Sequence, residues 1–150
     1  MVEQAREHTT IKASVETCFD TLTDFESYPS WAGDLKEAIV IERNDAGQAV
    51  VVEYRAAAMG RSTTYRLRYD YTEAPHRLGW RLDEGDIQRE LDGAYVLEPN
   101  ADDPSSTDVA YDLSIDLIMP IPGFVKRRAE ARILKTALDS LKERVEGSAA

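Results

Sequence analysis

The sequence predicts an α+β fold in which a curved antiparallel sheet of about seven strands wraps around a long C-terminal helix. Three observations predict it. Apolar and polar residues alternate over most of residues 48–118, which is typical of antiparallel strands with one covered face. Six of the seven tyrosines lie in this region. Beyond residue 118 apolar residues recur at three- and four-residue steps, which is the period of an amphipathic helix.

The alternation places tyrosine and tryptophan on the covered face of the strands, together with aliphatic residues. The predicted covered positions are Val50, Val52 and Tyr54; Tyr65, Leu67, Tyr69 and Tyr71; Leu78, Trp80 and Leu82; Leu91, Tyr95 and Leu97; and Val109, Tyr111, Leu113, Ile115 and Leu117. Buried phenol hydroxyls need hydrogen-bond partners. A hollow interior that holds water or a ligand supplies them more readily than a dry core, so we expect an internal cavity.

The N-terminal elements are a strand over residues 7–13 and two short helices. Ser14 is the predicted N-cap of the first helix, whose apolar face contains Val15, Cys18, Phe19 and Leu22. The second helical piece covers residues 25–28 and is short, because Pro29 and Gly33 bracket Trp31.

Short connections divide residues 35–118 into six strands. Turns are predicted at residues 44–47, 59–61, 73–76 and 84–86, and a longer polar loop at 99–106. Strands joined by such short connections must be antiparallel neighbours in sequence order.

The last element is a helix of more than twenty residues, entered through Pro120 and Pro122, with Gly147 as its predicted stop. Its apolar stripe must be buried against the covered face of the sheet. The predicted stripe contains Phe124, Ala131, Leu134, Leu138, Leu141 and Val145, widened by Ile133 and Ala137.

Composition limits the possible partners. A chain of 150 residues is expected to form one domain, residues 1–150. The net charge of −10 argues against binding to nucleic acid and against adsorption to an anionic membrane surface. No apolar run is long enough to span a bilayer, no signal peptide is recognisable, and the lone Cys18 has no disulfide partner within the chain, so a cytoplasmic location is expected. The oligomeric state is left open.

This order of elements resembles the helix-grip fold of StAR-related lipid-transfer (START) domains. More narrowly, it resembles the bacterial polyketide cyclase/dehydrase branch, which includes coenzyme Q-binding proteins. The resemblance rests on Asp24, Phe25, Tyr28, Pro29 and Trp31; Leu67, Tyr69 and Asp70; Gly79 and Trp80; Asp92, Gly93 and Tyr95; and Pro120, Pro122 and Gly123. It implies an apolar cavity between sheet and helix that holds a lipid, quinone, polyketide or similar small hydrophobic molecule.

Several residues are candidates for such a ligand site. Tyr28 and Trp31 would lie at one end of the cavity, as a lid or as simple packing. Arg89 shares the parity of Leu91 and Tyr95 and would point inward, unless a bulge after the preceding turn reverses it. The ligand-binding candidates are Trp31, Tyr54, Tyr65, Tyr69, Trp80, Arg89, Tyr95, Tyr111, Phe124 and Arg128.

The long helix opens with a basic cluster, Lys126, Arg127 and Arg128. Cations are mildly unfavourable at a helix N-terminus, so the cluster either attracts an anion or forms a solvated face relieved by Glu130. We favour the solvated face.

Conventional catalytic patterns are missing. No metal-ligand spacing, nucleophile elbow, phosphate loop or dinucleotide motif occurs, so no catalytic residue, metal or cofactor is predicted. The leading hypothesis is therefore a non-enzymatic binding or transport protein for a small hydrophobic molecule. An aromatase/cyclase- or dehydratase-type enzyme that acts on a polyketide-like substrate is one alternative, and a protein-interaction module is another.

Overall fold

The computed structural model describes residues 5–58 and 60–148 and confirms the predicted α+β class. The described residues form ten elements. In order they are β1 (Ala5–Ile11), α1 (Val15–Thr23), a 3-10 helix (Phe25–Ser30), β2 (Leu35–Arg43), β3 (Ala49–Ala58), β4 (Arg61–Asp70), β5 (Arg77–Gly85), β6 (Gln88–Pro99), β7 (Thr107–Leu117) and α2 (Gly123–Ser148).

The seven strands form one antiparallel sheet in the order β1-β7-β6-β5-β4-β3-β2. Strands β2 to β7 are sequential neighbours, as their short connections predict. The first strand pairs with the last, with Ala5 opposite Leu113 and Ile11 opposite Thr107. The first strand therefore joins the sheet beside the last, and β1 and β2 form its two edges.

Local chemistry explains where α1 begins. The Ser14 hydroxyl accepts a hydrogen bond from the Thr17 backbone N–H at 3.1 Å, which confirms the predicted N-cap. Val15, Cys18, Phe19 and Leu22 are all buried, as their spacing predicts. Pro29 lies within the 3-10 helix, which ends one residue later.

Two predicted connections differ from the structure or extend beyond its described part. Strand β5 continues through Gly85, so the tight turn falls at Asp86 and Ile87 rather than at residues 84–86. The Asp86 carboxylate explains this shift, because it accepts hydrogen bonds from the Thr63 hydroxyl and from the Thr64 backbone N–H. The predicted turn at residues 59–61 includes Met59, which lies outside the described residues.

The long helix α2 is buried over only part of its length. Leu134, Leu138, Leu141 and Val145 are buried where α2 packs on β1, β7 and α1. The first three turns differ from the prediction: Phe124, Ala131 and Ile133 belong to the predicted stripe but are exposed. The prediction fails there because helical spacing identifies an apolar side but not the length over which a neighbour covers it.

The start of α2 agrees with the predicted entry through Pro122, and its end differs from the prediction by one residue. Pro122 immediately precedes the helix, and its carbonyl accepts hydrogen bonds from the Val125 and Lys126 backbone N–H groups. Gly147 does not stop the helix, which continues to Ser148. No helix among the described residues is long and apolar enough to span a membrane.

Candidate ligand-binding site

Aromatic side chains from the middle strands meet on the concave face of the sheet. Trp80 on β5 is the centre of this group, with its ring centroid 5.9 Å from that of Tyr69, 5.4 Å from Tyr95 and 5.6 Å from Tyr111. Tyr95 and Tyr111 are direct cross-strand partners on β6 and β7, and their centroids are 4.5 Å apart. The period-two pattern of these strands thus produces one continuous aromatic surface.

The 3-10 helix extends this surface at the other end of the site. Phe25 packs on Tyr69 with a centroid distance of 4.4 Å, and Tyr28 lies 6.0 Å from Tyr54. We call the resulting set the aromatic cluster; it consists of Phe25, Tyr28, Trp31, Tyr54, Tyr65, Tyr69, Trp80, Tyr95 and Tyr111. Seven of its members were predicted ligand-binding residues, and the structure brings all seven together.

Some tyrosine hydroxyls in this region bond to other protein groups. The hydroxyls of Tyr54 and Tyr69 share a hydrogen bond of 2.6 Å, and the Tyr28 hydroxyl donates to the Leu22 carbonyl. Tyr71, beside the cluster, donates to the Ala49 carbonyl at 2.6 Å. These bonds satisfy the buried hydroxyls and fix the orientation of their rings.

The hydroxyls of Tyr65, Tyr95 and Tyr111 are different. None of them has a hydrogen-bond partner within residues 5–58 and 60–148, although the Tyr95 and Tyr111 side chains are only 9% and 8% exposed. None of the three oxygens is sealed from solvent either. Three phenol groups on the concave face are therefore available to a water molecule or a ligand.

Burial determines the protonation of these phenols. Desolvation raises the pKa of Tyr95 and Tyr111 well above the usual value of a phenol, and neighbouring tyrosines raise it further. Desolvation also raises the pKa of Tyr65, with a smaller contribution from the Asp34 carboxylate. All three stay neutral at ordinary pH, so each can donate a hydrogen bond to an acceptor but is a very poor general base.

Three other predicted site residues lie away from the cluster. Strand β6 has a bulge at Arg89, because Gln88 pairs with Leu117 while Glu90 pairs with Asp116. The extra residue interrupts the alternation, so Arg89 is exposed, and its guanidinium donates to the Ile118 carbonyl at 3.4 Å. The inward orientation predicted from strand parity is wrong. Phe124 and Arg128 are also exposed, on the first turns of α2.

Tyr28 and Trp31 were predicted to act as a lid or to fill space. Tyr28 is 8% exposed and packs against Phe25, Tyr54 and Trp31. Trp31 is half-buried, and its indole N–H donates to the Ser27 hydroxyl at 3.3 Å. Both residues pack at the end of the cluster that the 3-10 helix forms.

The aromatic rings leave little room for the expected internal cavity, because Trp80, Tyr95 and Tyr111 are each at most 9% exposed. The surface cavities among the described residues include two of about 230 Å³ and 210 Å³. The first lies beside Tyr65, between Glu53, Arg66 and Glu84, and the second lies between β1 and α2. Neither is lined by Trp80, Tyr95 or Tyr111. Because these three side chains are buried, a bulky ligand at the cluster requires movement of side chains.

Sequence reasoning missed two buried polar groups. Gln88 is buried and donates from Nε2 to the Thr63 hydroxyl at 3.0 Å, which ties the start of β6 to β4. Glu130 was expected on a solvated face, but it is 4% exposed. Glu130 lies four residues before Leu134, on the buried side of α2, and this spacing could have predicted its burial.

Other chemistry is sparse in the described part of the chain. No group of three or more histidine, cysteine, aspartate or glutamate side chains there is arranged to hold a metal ion. Cys18 is buried, and desolvation raises the pKa of its thiol, which keeps it protonated and unreactive.

Solved structures with the same fold were found. A START superfamily protein from Mycobacterium smegmatis is 23% identical, with a TM-score of 0.89 over 96% of this chain and 97% of that one. A protein from Thermus thermophilus is 22% identical, with a TM-score of 0.81 over 99% and 100%. The Zhui aromatase/cyclase from a Streptomyces species is 16% identical, with a TM-score of 0.84 over 100% and 97%. At these identities the likeness shows the fold alone.

The family of the chain is identified from its sequence. No functionally curated protein matches the chain. The profile of one family, described as polyketide cyclase/dehydrase and lipid transport, matches residues 3–146, which is nearly the whole sequence. The chain therefore belongs to the polyketide cyclase/dehydrase and lipid transport family.

Proposed function

We propose that this protein binds a small, mostly hydrophobic molecule on its aromatic cluster, and that the molecule carries at least one hydrogen-bond acceptor. The observation that carries the proposal is the set of three phenol hydroxyls, on Tyr65, Tyr95 and Tyr111, that lack a partner among the described residues on an otherwise apolar face. A site of this kind, with apolar walls and a few convergent polar groups, is typical of small-molecule binding.

The energetics favour an oxygen-bearing ligand. The three hydroxyls reach solvent in the free protein. A ligand that covered them without offering an acceptor would leave each hydroxyl buried and unpaired at a cost of roughly 1–3 kcal/mol, whereas a carbonyl or hydroxyl on the ligand avoids this cost by accepting a hydrogen bond. The hydrophobic remainder of the ligand would lie against Trp80, Tyr95 and Tyr111, whose rings already form one surface. Quinones, polyketides and fatty acids meet both requirements.

The route to the cluster is part of the proposal. Tyr28 and Trp31 pack at one end of it, and the 3-10 helix that carries Tyr28 packs on the edge strand β2. The exposed Arg43–Glu26 ion pair at 3.2 Å is a further tie between this helix and β2. We infer that this end opens when a ligand enters, because it is the end attached to the edge of the sheet.

Catalysis is the weaker alternative. The Zhui protein is an aromatase/cyclase of the same fold, and neutral phenols can donate hydrogen bonds to an enolate. Cyclisation also needs a group that removes a proton, and the raised pKa values of Tyr69, Tyr95 and Tyr111 make these phenols unsuitable as bases. Binding without chemistry therefore fits the cluster better.

Two measurements test the proposal. The purified protein is extracted with organic solvent and, in parallel, its intact mass is recorded by native mass spectrometry; a stoichiometric apolar adduct is expected. The chain has two tryptophans, so in Trp31→Phe the emission reports Trp80 alone. A quinone, fatty acid or polyketide that binds the cluster should change this emission, and the matched Trp80→Phe variant should show a smaller change. An empty protein whose Trp80 emission responds to none of these compounds would contradict the proposal.

A further inference from the structure

The first three turns of α2 present an outer face that nothing in the described structure covers. Phe124, Val125 and Ile133 are 63%, 40% and 37% exposed. With 3.6 residues per turn, Val125 lies with Arg128 and Arg132 on the side opposite the buried leucines of α2, and Phe124 and Ile133 flank that side. The preceding connection adds Ile118 and Met119, which are 54% and 36% exposed.

We call this surface the apolar–basic face. It contains Ile118, Met119, Phe124, Val125, Arg128, Arg132 and Ile133. Five of the seven large hydrophobic residues that are exposed in the described structure belong to it; the other two, Ile39 and Ile41, lie on β2. Such a concentration of exposed apolar side chains marks an interaction surface rather than ordinary surface composition.

The charge of this segment opposes that of the whole protein. The chain carries −10 overall, whereas residues 118–133 contain four cations, Lys126, Arg127, Arg128 and Arg132, and one carboxylate, which is buried. Within residues 5–58 and 60–148 none of the four cations forms an ion pair, although Arg55, Arg66 and Arg68 on the sheet all do. The charges of Arg128 and Arg132, the two cations that belong to the face, are therefore available to an anionic partner.

We propose that the apolar–basic face docks on the surface of a bilayer that contains anionic phospholipid. Phe124, Val125 and Ile118 would enter the boundary between headgroups and acyl chains, while Arg128 and Arg132 would contact lipid phosphates. Aliphatic and aromatic side chains interspersed with arginine, without an exposed acid, form the pattern that binds this interface. A purely acidic protein partner would match the arginines but would leave the apolar side chains in water.

The net negative charge does not prevent this docking. Repulsion between the bilayer and the rest of the protein is screened beyond about 8 Å at physiological ionic strength, whereas the arginines of the face would touch the headgroups. Docking goes beyond the proposed ligand function and does not require a ligand in the aromatic cluster. The overall charge predicted no adsorption; the local distribution of charge leads to the opposite expectation.

Vesicle flotation of the delipidated full chain tests this docking. We expect the chain to float with vesicles of phosphatidylcholine mixed with phosphatidylglycerol, and not with phosphatidylcholine alone. Phe124→Ser combined with Val125→Ser should weaken binding at least about tenfold, because the inserted apolar area is lost. Arg128→Gln combined with Arg132→Gln should weaken it by roughly fivefold for each arginine.

Matched variants make the test specific. Ile39→Ser combined with Ile41→Ser removes the other exposed isoleucine pair and should leave flotation unchanged. Tyr95→Phe combined with Tyr111→Phe alters the ligand site alone and should also float normally, so failure of docking is distinguishable from failure of the proposed function. Circular dichroism verifies that each variant is folded.

Three outcomes would overturn the inference. The first is equal binding to both kinds of vesicle or to neither. The second is an equal loss of flotation in the β2 control. The third is a concentration-dependent dimer in sedimentation that Phe124→Ser abolishes, since the face would then contact a second copy of the chain.

Discussion

The core of this protein has two halves with different chemistry. Between α1, α2 and the β1–β7 edge it is mainly aliphatic; examples are Ile11, Leu22, Val109, Leu138 and Leu141, each at most 2% exposed. Over the middle strands it is aromatic, and its residues keep slightly more exposure, such as 9% for Trp80 and Tyr95. One sheet supports both halves, so the difference comes from side-chain choice and from what covers each half.

The comparison separates stability from binding. The aliphatic half is covered by two helices, and a polar side chain buried there, Thr107, donates a hydrogen bond from its hydroxyl to the Ala13 carbonyl. The residues of this half therefore mainly hold the fold together. The aromatic half carries phenols, of which some bond to each other and some have no partner among the described residues. Perturbing each half should therefore produce a different signature in stability and in ligand affinity.

High pH should produce the largest effect, through the aromatic half. A phenol in the unfolded chain ionises near pH 10, whereas burial raises the pKa of Tyr71 to about 12 and raises that of Tyr54, Tyr69, Tyr95 and Tyr111 well above the usual value. The folded state therefore retains protons that the unfolded state loses.

The resulting contribution to stability is fully present below about pH 10 and is lost as the pH rises through the folded-state values. The midpoint of thermal unfolding should be insensitive to these groups at neutral pH and should fall steeply in alkali. Tyrosinate absorbance should increase together with unfolding. If the absorbance showed several tyrosines ionised while circular dichroism still reported a folded chain, the cluster would be open to solvent.

Leu138→Ala should be the most damaging single substitution considered, through the aliphatic half. Leu138 is 2% exposed, and its truncation leaves a cavity beneath α2 that should cost about 2–5 kcal/mol of unfolding free energy. Urea denaturation measures this loss. The matched control is Ile133→Ala on the exposed part of the same helix, for which we expect less than about 1 kcal/mol. Equal losses would mean that α2 is covered along its whole length.

Tyr54→Phe should have a smaller effect and tests the paired phenols. The Tyr54 and Tyr69 hydroxyls share a hydrogen bond of 2.6 Å, so removal of one leaves the other buried without its partner. We expect a loss of about 1–3 kcal/mol in urea denaturation, because the orphaned hydroxyl keeps its desolvation cost. Tyr54→Phe combined with Tyr69→Phe should recover part of this loss. A double variant that is less stable than either single variant would argue against this account.

Tyr95→Phe combined with Tyr111→Phe should change stability least. Their hydroxyls have no protein partner among the described residues, so the free energy of unfolding should change by less than about 1 kcal/mol. Affinity for an oxygen-bearing ligand should fall roughly two- to tenfold per hydroxyl, and affinity for a pure hydrocarbon should not. Equal losses for both ligands would show that the rings, rather than the hydroxyls, recognise the ligand.

The sequence predicted the strands and the aromatic face well, because both depend on local alternation. Tyr65, Tyr69, Trp80, Tyr95 and Tyr111 meet on one face because each follows the period of two and the connections are short. Ser14 was identifiable because a helix N-cap is determined by its own side chain.

The remaining features depend on information that local patterns do not contain. One extra residue at Arg89 reverses its direction. The preceding turn made a bulge there one of two expected outcomes, but alternation alone cannot decide between them. Exposure of Phe124 and burial of Glu130 depend on which part of α2 the sheet covers. The packed state of the aromatic cluster depends on ring orientations, which composition does not determine.

Pairing between β1 and β7 has a consequence for how the chain reaches its native state. Ala5 and Leu113 are neighbours in the sheet although more than a hundred residues of chain separate them. During synthesis the first strand must wait for the seventh, while the meander between them can pair locally as it emerges. We therefore expect β1 to join the sheet slowly and late. The aliphatic half of the core would be completed only after α2 has been made.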